Sequence, residues 1–199
     1  MLVLEGMPGA GKTTVADALT ARGVQVIGEY VTSTGTTLPM SDHPAVHNDD
    51  AHQANWLAKH RLVTVTGSGR PVVCDRDWIS ALAYAASLDD GGQLLRHRTS
   101  WAREQLTHGR LAVATDYLVF RLAPPLSLAR RSGRLTPGHP WSTPPGLHRL
   151  ARFYADPIGA IGATSPALRA ALGTATWHQL DAGSVDDAVR FALTLLAAP

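Results

Sequence analysis

The sequence predicts an α/β fold in which a parallel sheet is covered by helices on both faces. Three observations carry this. Short apolar runs alternate with longer helical stretches from end to end, and no internal repeat or low-complexity linker interrupts them. Hydrophobic residues make up 45% of the chain and charged ones only 17%, which excludes a coiled coil, an acidic disordered tail and a solvated repeat array. Strands that alternate with helices pair in parallel, because the crossover helix returns the chain to the same edge. At roughly 150 residues per domain, 199 residues imply one domain spanning 1–199.

The elements follow in order. Leu2-Val3-Leu4 reads as a buried strand ended by Gly6. Thr13 to Ala21 is helical and stops at Gly23, a residue suited to a C-terminal cap. Val24 to Ile27 is a second strand. Asp49 and Asp50 are expected to cap a helix reaching about Thr66, ahead of the breaker Gly67-Ser68-Gly69. Pro71 to Cys74 is a third strand, and helices follow at Trp78 to Leu88 and Gln93 to His108. Tyr117 to Phe120 is the fourth strand. A helix from Pro125 to about Arg134 comes next, with proline in its first turn. Thr136 to Gly146 carries Pro137, Gly138, Pro140, Pro144 and Pro145 and reads as a loop. Leu147 to Ala171 is broken helix, Trp177 to Leu180 a last strand and Ser184 to Ala197 a closing helix.

Eighteen basic residues against sixteen acidic ones leave a net charge of +2, so the chain is no general nucleic-acid coat. One cysteine, Cys74, cannot form an internal disulfide. No apolar run reaches the roughly 18 residues that span a bilayer. The opening Met1-Leu-Val-Leu-Glu-Gly lacks the basic start of a signal peptide. The expectation is a cytoplasmic protein with neither a membrane nor a nucleic-acid partner. Only Lys12 and Lys59 are lysines among many arginines.

Lys12 has a reason. Gly6-Met7-Pro8-Gly9-Ala10-Gly11-Lys12-Thr13 fits the phosphate-loop pattern G-x-x-x-x-G-K-[ST] at every fixed position. Its glycines let successive backbone N–H groups turn inward on phosphate oxygens, and the following helix adds its positive end. Lys12 is expected to reach the β and γ phosphates, and the Thr13 hydroxyl to ligate magnesium. A strand before and a helix after supply the context the motif needs. The loop therefore predicts a nucleoside triphosphate with Mg2+.

Other candidates gather at the carboxyl ends of the strands, where open α/β sheets bind ligands. Asp75 is placed to hold magnesium through water, and Arg76 to grip a phosphate or the acceptor. Glu29, with Tyr30 beside it, follows the second strand and could take the proton of an attacking hydroxyl. Between Asp116 and Asp156 there is no acid but six arginines: 121, 130, 131, 134, 149 and 152. Arg130 and Arg134 are four apart, expected to share a helix face and to open a basic lid over residues 130–146. Trp56 could stack on a planar ring or belong to the core. His43 and His47 read as polar loop rather than a metal site.

These residues resemble the thymidylate kinase and deoxynucleoside kinase family. The resemblance rests on Leu4-Glu-Gly6 to Thr14, on Asp75-Arg76 followed by Ser80-Ala-Leu-Ala-Tyr84, and on Tyr117 to Arg121 with Leu126 to Arg134. It implies a three-layer P-loop fold with a five-stranded parallel sheet in the order 2-3-1-4-5, an ATP site that includes Pro8, Gly9, Ala10, Gly11, Thr14, Arg130 and the loop at Ala182, and an acceptor site near Gln53 and Trp56. Members are frequently homodimers. Gly28-Glu-Tyr-Val-Thr-Ser-Thr departs from the loop of thymidylate kinases, and Asp77 stands where they carry an aromatic residue. The expected activity is transfer of a γ-phosphoryl group to a nucleoside-like hydroxyl or a nucleoside monophosphate. An antibiotic-modifying phosphotransferase and a nucleotide-binding regulator remain as alternatives.

Overall fold

The computed structural model describes residues 1–45, 48–66 and 70–197. His47 and the breaker at 67–69 lie outside the described residues. Five strands, β1 (Leu2–Gly6), β2 (Gln25–Ile27), β3 (Val72–Asp75), β4 (Asp116–Arg121) and β5 (Thr176–Asp181), form a sheet in the order β2-β3-β1-β4-β5. Every pairing is parallel. The register places Leu4 opposite both Asp75 and Leu118, so the ends of β1, β3 and β4 arrive at one edge. Leu2, Val3 and Leu4, and Tyr117 to Phe120, are each at most 2% exposed. A strand buried at successive residues must be covered on both faces.

The cover consists of α1 (Lys12–Thr20), α2 (Asp49–Thr66), α3 (Ile79–Ser87), α4 (Gln93–Thr107), α5 (Pro124–Arg130), α6 (Pro144–Ala155), α7 (Pro157–Gly162), α8 (Pro166–Leu172) and α9 (Val185–Ala197). Helices α1 and α9 pack on each other and on β1, whereas α3 packs on α4 and α6. Helix α6 buries Leu147, Leu150, Phe153 and Tyr154, a helical spacing that turns one stripe to the core.

The stretch read as broken helix is three helices, and their boundaries have one cause. Thr143, Asp156 and Ser165 each accept a hydrogen bond from a first-turn N–H, and each is followed by proline at the first helical position. Two other expectations change. Helix α2 is capped by Asn48, whose Oδ1 accepts from Ala51 N at 3.1 Å, and Asp49 and Asp50 occupy the first turn instead. The lid helix stops at Arg130, and Ser132–Arg134 forms a separate 3-10 turn. Ser132 and Gly133 are poor helix residues, so Arg130 and Arg134 share no helix face. Cys74 is a core residue, 2% exposed, and burial pushes its thiol up to about 11. Among the described residues no helix is long and apolar enough to cross a membrane.

Candidate active site

The phosphate loop leaves β1 and enters α1 through backbone that only glycine adopts readily. Gly6 sits at φ +123°, and a Cβ there would lie 2.2 Å from Phe120 O. That contact leaves no room for a side chain where Met7 N donates to Phe120 O at 3.0 Å. Gly11, at φ +93°, delivers the chain into α1. Lys12 is buried, and its ammonium donates to Met7 O at 2.9 Å and Gly6 O at 3.2 Å. Burial, then the Arg76 charge, lowers Lys12 to about 7. Asp75, Glu29 and Glu5 oppose that shift only in part, so an arriving anion would strengthen the charge on Lys12.

Next to Lys12, the Thr13 hydroxyl donates to Asp75 Oδ2 at 3.0 Å. The other oxygen, Asp75 Oδ1, is buried without a hydrogen-bond partner among the described residues. An unsatisfied carboxylate oxygen beside a phosphate-loop threonine is the donor set a magnesium ion uses, directly or through water. Among the described residues no cluster of three His, Cys, Asp or Glu is arranged as a separate metal centre.

Arg76 lies at φ +62°, the one non-glycine described residue with positive φ. It is 4% exposed. Its Nε meets Glu29 Oε1 at 3.1 Å, and its Nη1 donates to Ser80 Oγ at 2.9 Å. Glu5, on β1 and fully buried, accepts from Ser80 Oγ at 2.8 Å, from Tyr154 Oη at 2.7 Å and from Asp77 N at 3.1 Å, and it lies 3.5 Å from Arg76 Nη1. Burial opposes the Arg76 charge, but the carboxylates of Glu29, Glu5 and Asp75 outweigh it and raise its pKa further.

Lys12, Thr13 and Ser80 line a cavity of about 1130 Å³, whereas Asp75 and Glu5 are buried behind it. One end holds Pro8, Gly9, Gly11, Lys12, Thr13 and Thr14 with Arg130, Arg131 and Arg134; the other holds Tyr30, His52, Trp56, Tyr84 and Arg98. Glu29 and Arg76 also line it. Tyr30 is tilted against Trp56, 5.7 Å between ring centroids, and its hydroxyl shares a hydrogen bond with His52 Nδ1 at 2.6 Å. Trp56 belongs to the core, 3% exposed, and also lines the cavity. Gln53 and Ala182 do not line the cavity; His52, one residue earlier on α2, does, and Ala182 follows β5 with its N–H on Arg121 O at 2.9 Å. Ala10 is buried beneath the loop.

A family model described as an AAA domain matches residues 1–121. The chain belongs to that AAA domain family. The match covers the phosphate loop and the whole sheet except β5. Solved structures extend the likeness over nearly the full length of this AAA-domain protein. Deoxyadenosine kinase from M. mycoides with dCMP and a flexible dCDP bound shares 12% identity at TM-score 0.62, covering 98% of this chain and 97% of that one. The same enzyme with dATP bound gives TM-score 0.59 over 99% of both chains at 12% identity. The YorR protein of Bacillus subtilis, in complex with phosphorylated GDP, gives 0.51 at 15% identity over 98% and 94%. At such identities the likeness is one of fold. No curated protein matches the sequence.

Three parts of the site escaped sequence reasoning. Glu5 is an acid inside a strand and reads there as an interruption. Arg131 packs against the phosphate loop beside Arg130, whose Nη1 donates to Gly9 O at 3.3 Å: the Arg131 Cγ would meet a Gly9 Cβ at 3.3 Å, and its guanidinium bonds Ser127 O and Trp141 O. Ser127 Oγ in turn donates to Pro8 O at 2.7 Å, tying α5 to the phosphate loop. A polar residue at 127, among the apolar residues of its helix, was the available signal.

Proposed function

We propose that the protein transfers the γ-phosphoryl group of ATP, held with Mg2+ on the phosphate loop, to a hydroxyl of a planar, nucleoside-like acceptor. The observation that carries this reading is that Lys12 and Thr13 line one cavity together with the ion-paired Glu29 and Arg76. Catalysis of this kind is mostly positioning and charge stabilisation. Lys12 and the lid arginines receive the triphosphate. Glu29 takes the proton of the attacking hydroxyl, and Arg76 orients Glu29 and faces the transferred group. Thr13 and Asp75 would hold magnesium, which neutralises charge between the β and γ phosphates. Tyr30 and Trp56 supply flat apolar walls for a ring. The cavity lining carries one carboxylate, Glu29, against Lys12 and five arginines, which disfavours a polycationic antibiotic as acceptor. Deoxyadenosine kinase, alike in fold, supports the nucleoside class.

The test is ATP consumption with a panel of deoxynucleosides, their 5′-monophosphates and hydroxylated antibiotics. Stimulation by a deoxynucleoside, lost by about 10² to 10⁴-fold in Glu29→Gln, is the expected result. Stimulation by monophosphates with Glu29→Gln unimpaired would move the reading to a nucleotide kinase. Nucleotide binding with no stimulation by any acceptor would leave a regulator.

A further inference from the structure

We propose that Lys59 is a positioning residue that holds Arg76, and through it Glu29, in the geometry for transfer. The proposal rests on the phosphoryl-transfer reading above and adds a residue from outside the cavity lining. Lys59 lies on α2 and is 1% exposed. Its ammonium has three protons and no acceptor. Three backbone carbonyls meet them: Asp75 O and Arg76 O at 2.7 Å each, and Glu29 O at 3.4 Å. A single buried cation thus joins the segment after β2 to the segment after β3.

The place it joins is the strained one. Arg76 has φ +62°, a conformation that L side chains rarely hold unless their surroundings impose it. On one side its N–H donates to Leu4 O at 3.0 Å. On the other, the carbonyls of residues 75 and 76 converge on Lys59, which fixes both peptide groups flanking the Arg76 Cα. The neighbouring turn of α2 works the same way on Glu29: Asn55 Nδ2 donates to Glu29 O at 3.0 Å, and Asn55 Oδ1 accepts from Val31 N at 3.1 Å. The Lys59 ammonium also lies 5.4 Å from the centre of the Trp56 ring, so the helix face that walls the acceptor end is the face that fixes the ion pair.

Lys59 also serves stability, because without its ammonium three carbonyls lose a donor. Asp75 O ends β3, whereas Arg76 O and Glu29 O lie beyond the paired residues of β3 and β2. What Lys59 adds is a fixed relation between Glu29 and Arg76, the two residues facing the phosphate loop.

The experiment replaces Lys59 with methionine, of similar length but without charge. It measures turnover with magnesium-ATP and deoxyadenosine (or the panel member that turns over fastest), ATPγS binding by calorimetry, and the crystal structure of the variant. The expected result for Lys59→Met is a fall in kcat of about 10²-fold, the scale of a misplacement near 1 Å. ATPγS affinity should stay within threefold, Arg76 should leave the positive-φ region, and its contact with Glu29 should open. Lys59→Gln, which keeps two donor protons, should fall between Met and wild type, and it decides the matter by the same readouts if the methionine variant does not fold. A folded variant that retains kcat within threefold, or one that loses turnover with Arg76 still at positive φ and its contact with Glu29 intact, overturns the proposal. If the wild-type protein turns over no acceptor, the kinase reading fails by itself, and the position of Arg76 in the variant still decides the role of Lys59.

Discussion

Replacing Glu5 with glutamine tests whether the buried network behind Arg76 is held together by charge or by shape. Glu5 is fully buried and receives Ser80 Oγ, Tyr154 Oη and Asp77 N, with Arg76 Nη1 at 3.5 Å. Glutamine keeps one acceptor oxygen and turns the other into an NH2. On the Oε1 side that NH2 faces Asp77 N–H, and on the Oε2 side it faces Tyr154 Oη–H and Arg76, so either orientation sets donor against donor. Removing one partner of a buried ion pair costs about 3–5 kcal/mol, and the lower end applies because Arg76 keeps Glu29. Tyr154→Phe removes the short bond to Glu5, with a longer one from Arg76, and should cost about 1.5–3 kcal/mol. At about 2–4 °C per kcal/mol for a chain of this size, Glu5→Gln should melt about 6–12 °C below wild type. Urea unfolding followed by tryptophan fluorescence at pH 7.5 measures both variants and their double mutant. The double mutant should be less destabilised than the sum by about 1 kcal/mol, since the two residues share one bond. A Glu5→Gln variant within about 1 kcal/mol of wild type would refute the argument that charge holds this network.

Lys12→Ala should fold, by circular dichroism, and lose phosphoryl transfer; retained turnover would remove the loop from the mechanism. Because Lys12 sits near 7 and an arriving phosphate raises it, ATP binding at pH 8.5 should take up about one proton, read from calorimetry in buffers of different ionisation enthalpy. Replacing Arg130, Arg131 and Arg134 together with alanine should lower kcat more than it weakens ATP binding, because a lid acts mainly in the transition state. Asp77 is raised to about 8 by burial and by the Glu5 charge. Its folded form therefore binds a proton that the unfolded chain releases near 4, and stability should decline as pH rises from about 4 to about 8. Lys12, lowered from 10.5, works with the opposite sign above pH 7. Asp77→Asn should flatten the decline between pH 4 and 8 in thermal melts, and an unchanged slope would assign it to other groups.

The sheet was legible because its signals are local. Apolar runs at 2–4, 72–74 and 117–120 have no solvated alternative, and the phosphate loop brings its own strand and helix. Asp75-Arg76 was legible as chemistry at a strand end. Glu5 was not, since nothing in a single carboxylate shows that Tyr154, 149 residues later, will donate to it. Lys59 was conspicuous for its rarity, but its three carbonyl partners lie at or just beyond strand ends whose approach only the folded sheet defines. The shared helix face failed differently: Arg130 and Arg134 have helical spacing, and the break at Ser132-Gly133 outweighed it. All three arginines line the cavity, and Arg131, read only as one of six charges, joins Arg130 against the phosphate loop.

The solitary cysteine makes the lid open to observation. A thiol held near pH 11 inside the core stays protonated and shielded at neutral pH, so maleimide or iodoacetamide reagents will spare it. A second cysteine placed on the exposed rim, at Thr136 for example, becomes the single addressable handle on the native chain. An environment-sensitive dye there would report in real time whether the arginine-bearing arm moves when a triphosphate binds. Whether any such movement precedes or follows arrival of the acceptor then becomes a matter of mixing order in a stopped-flow cell.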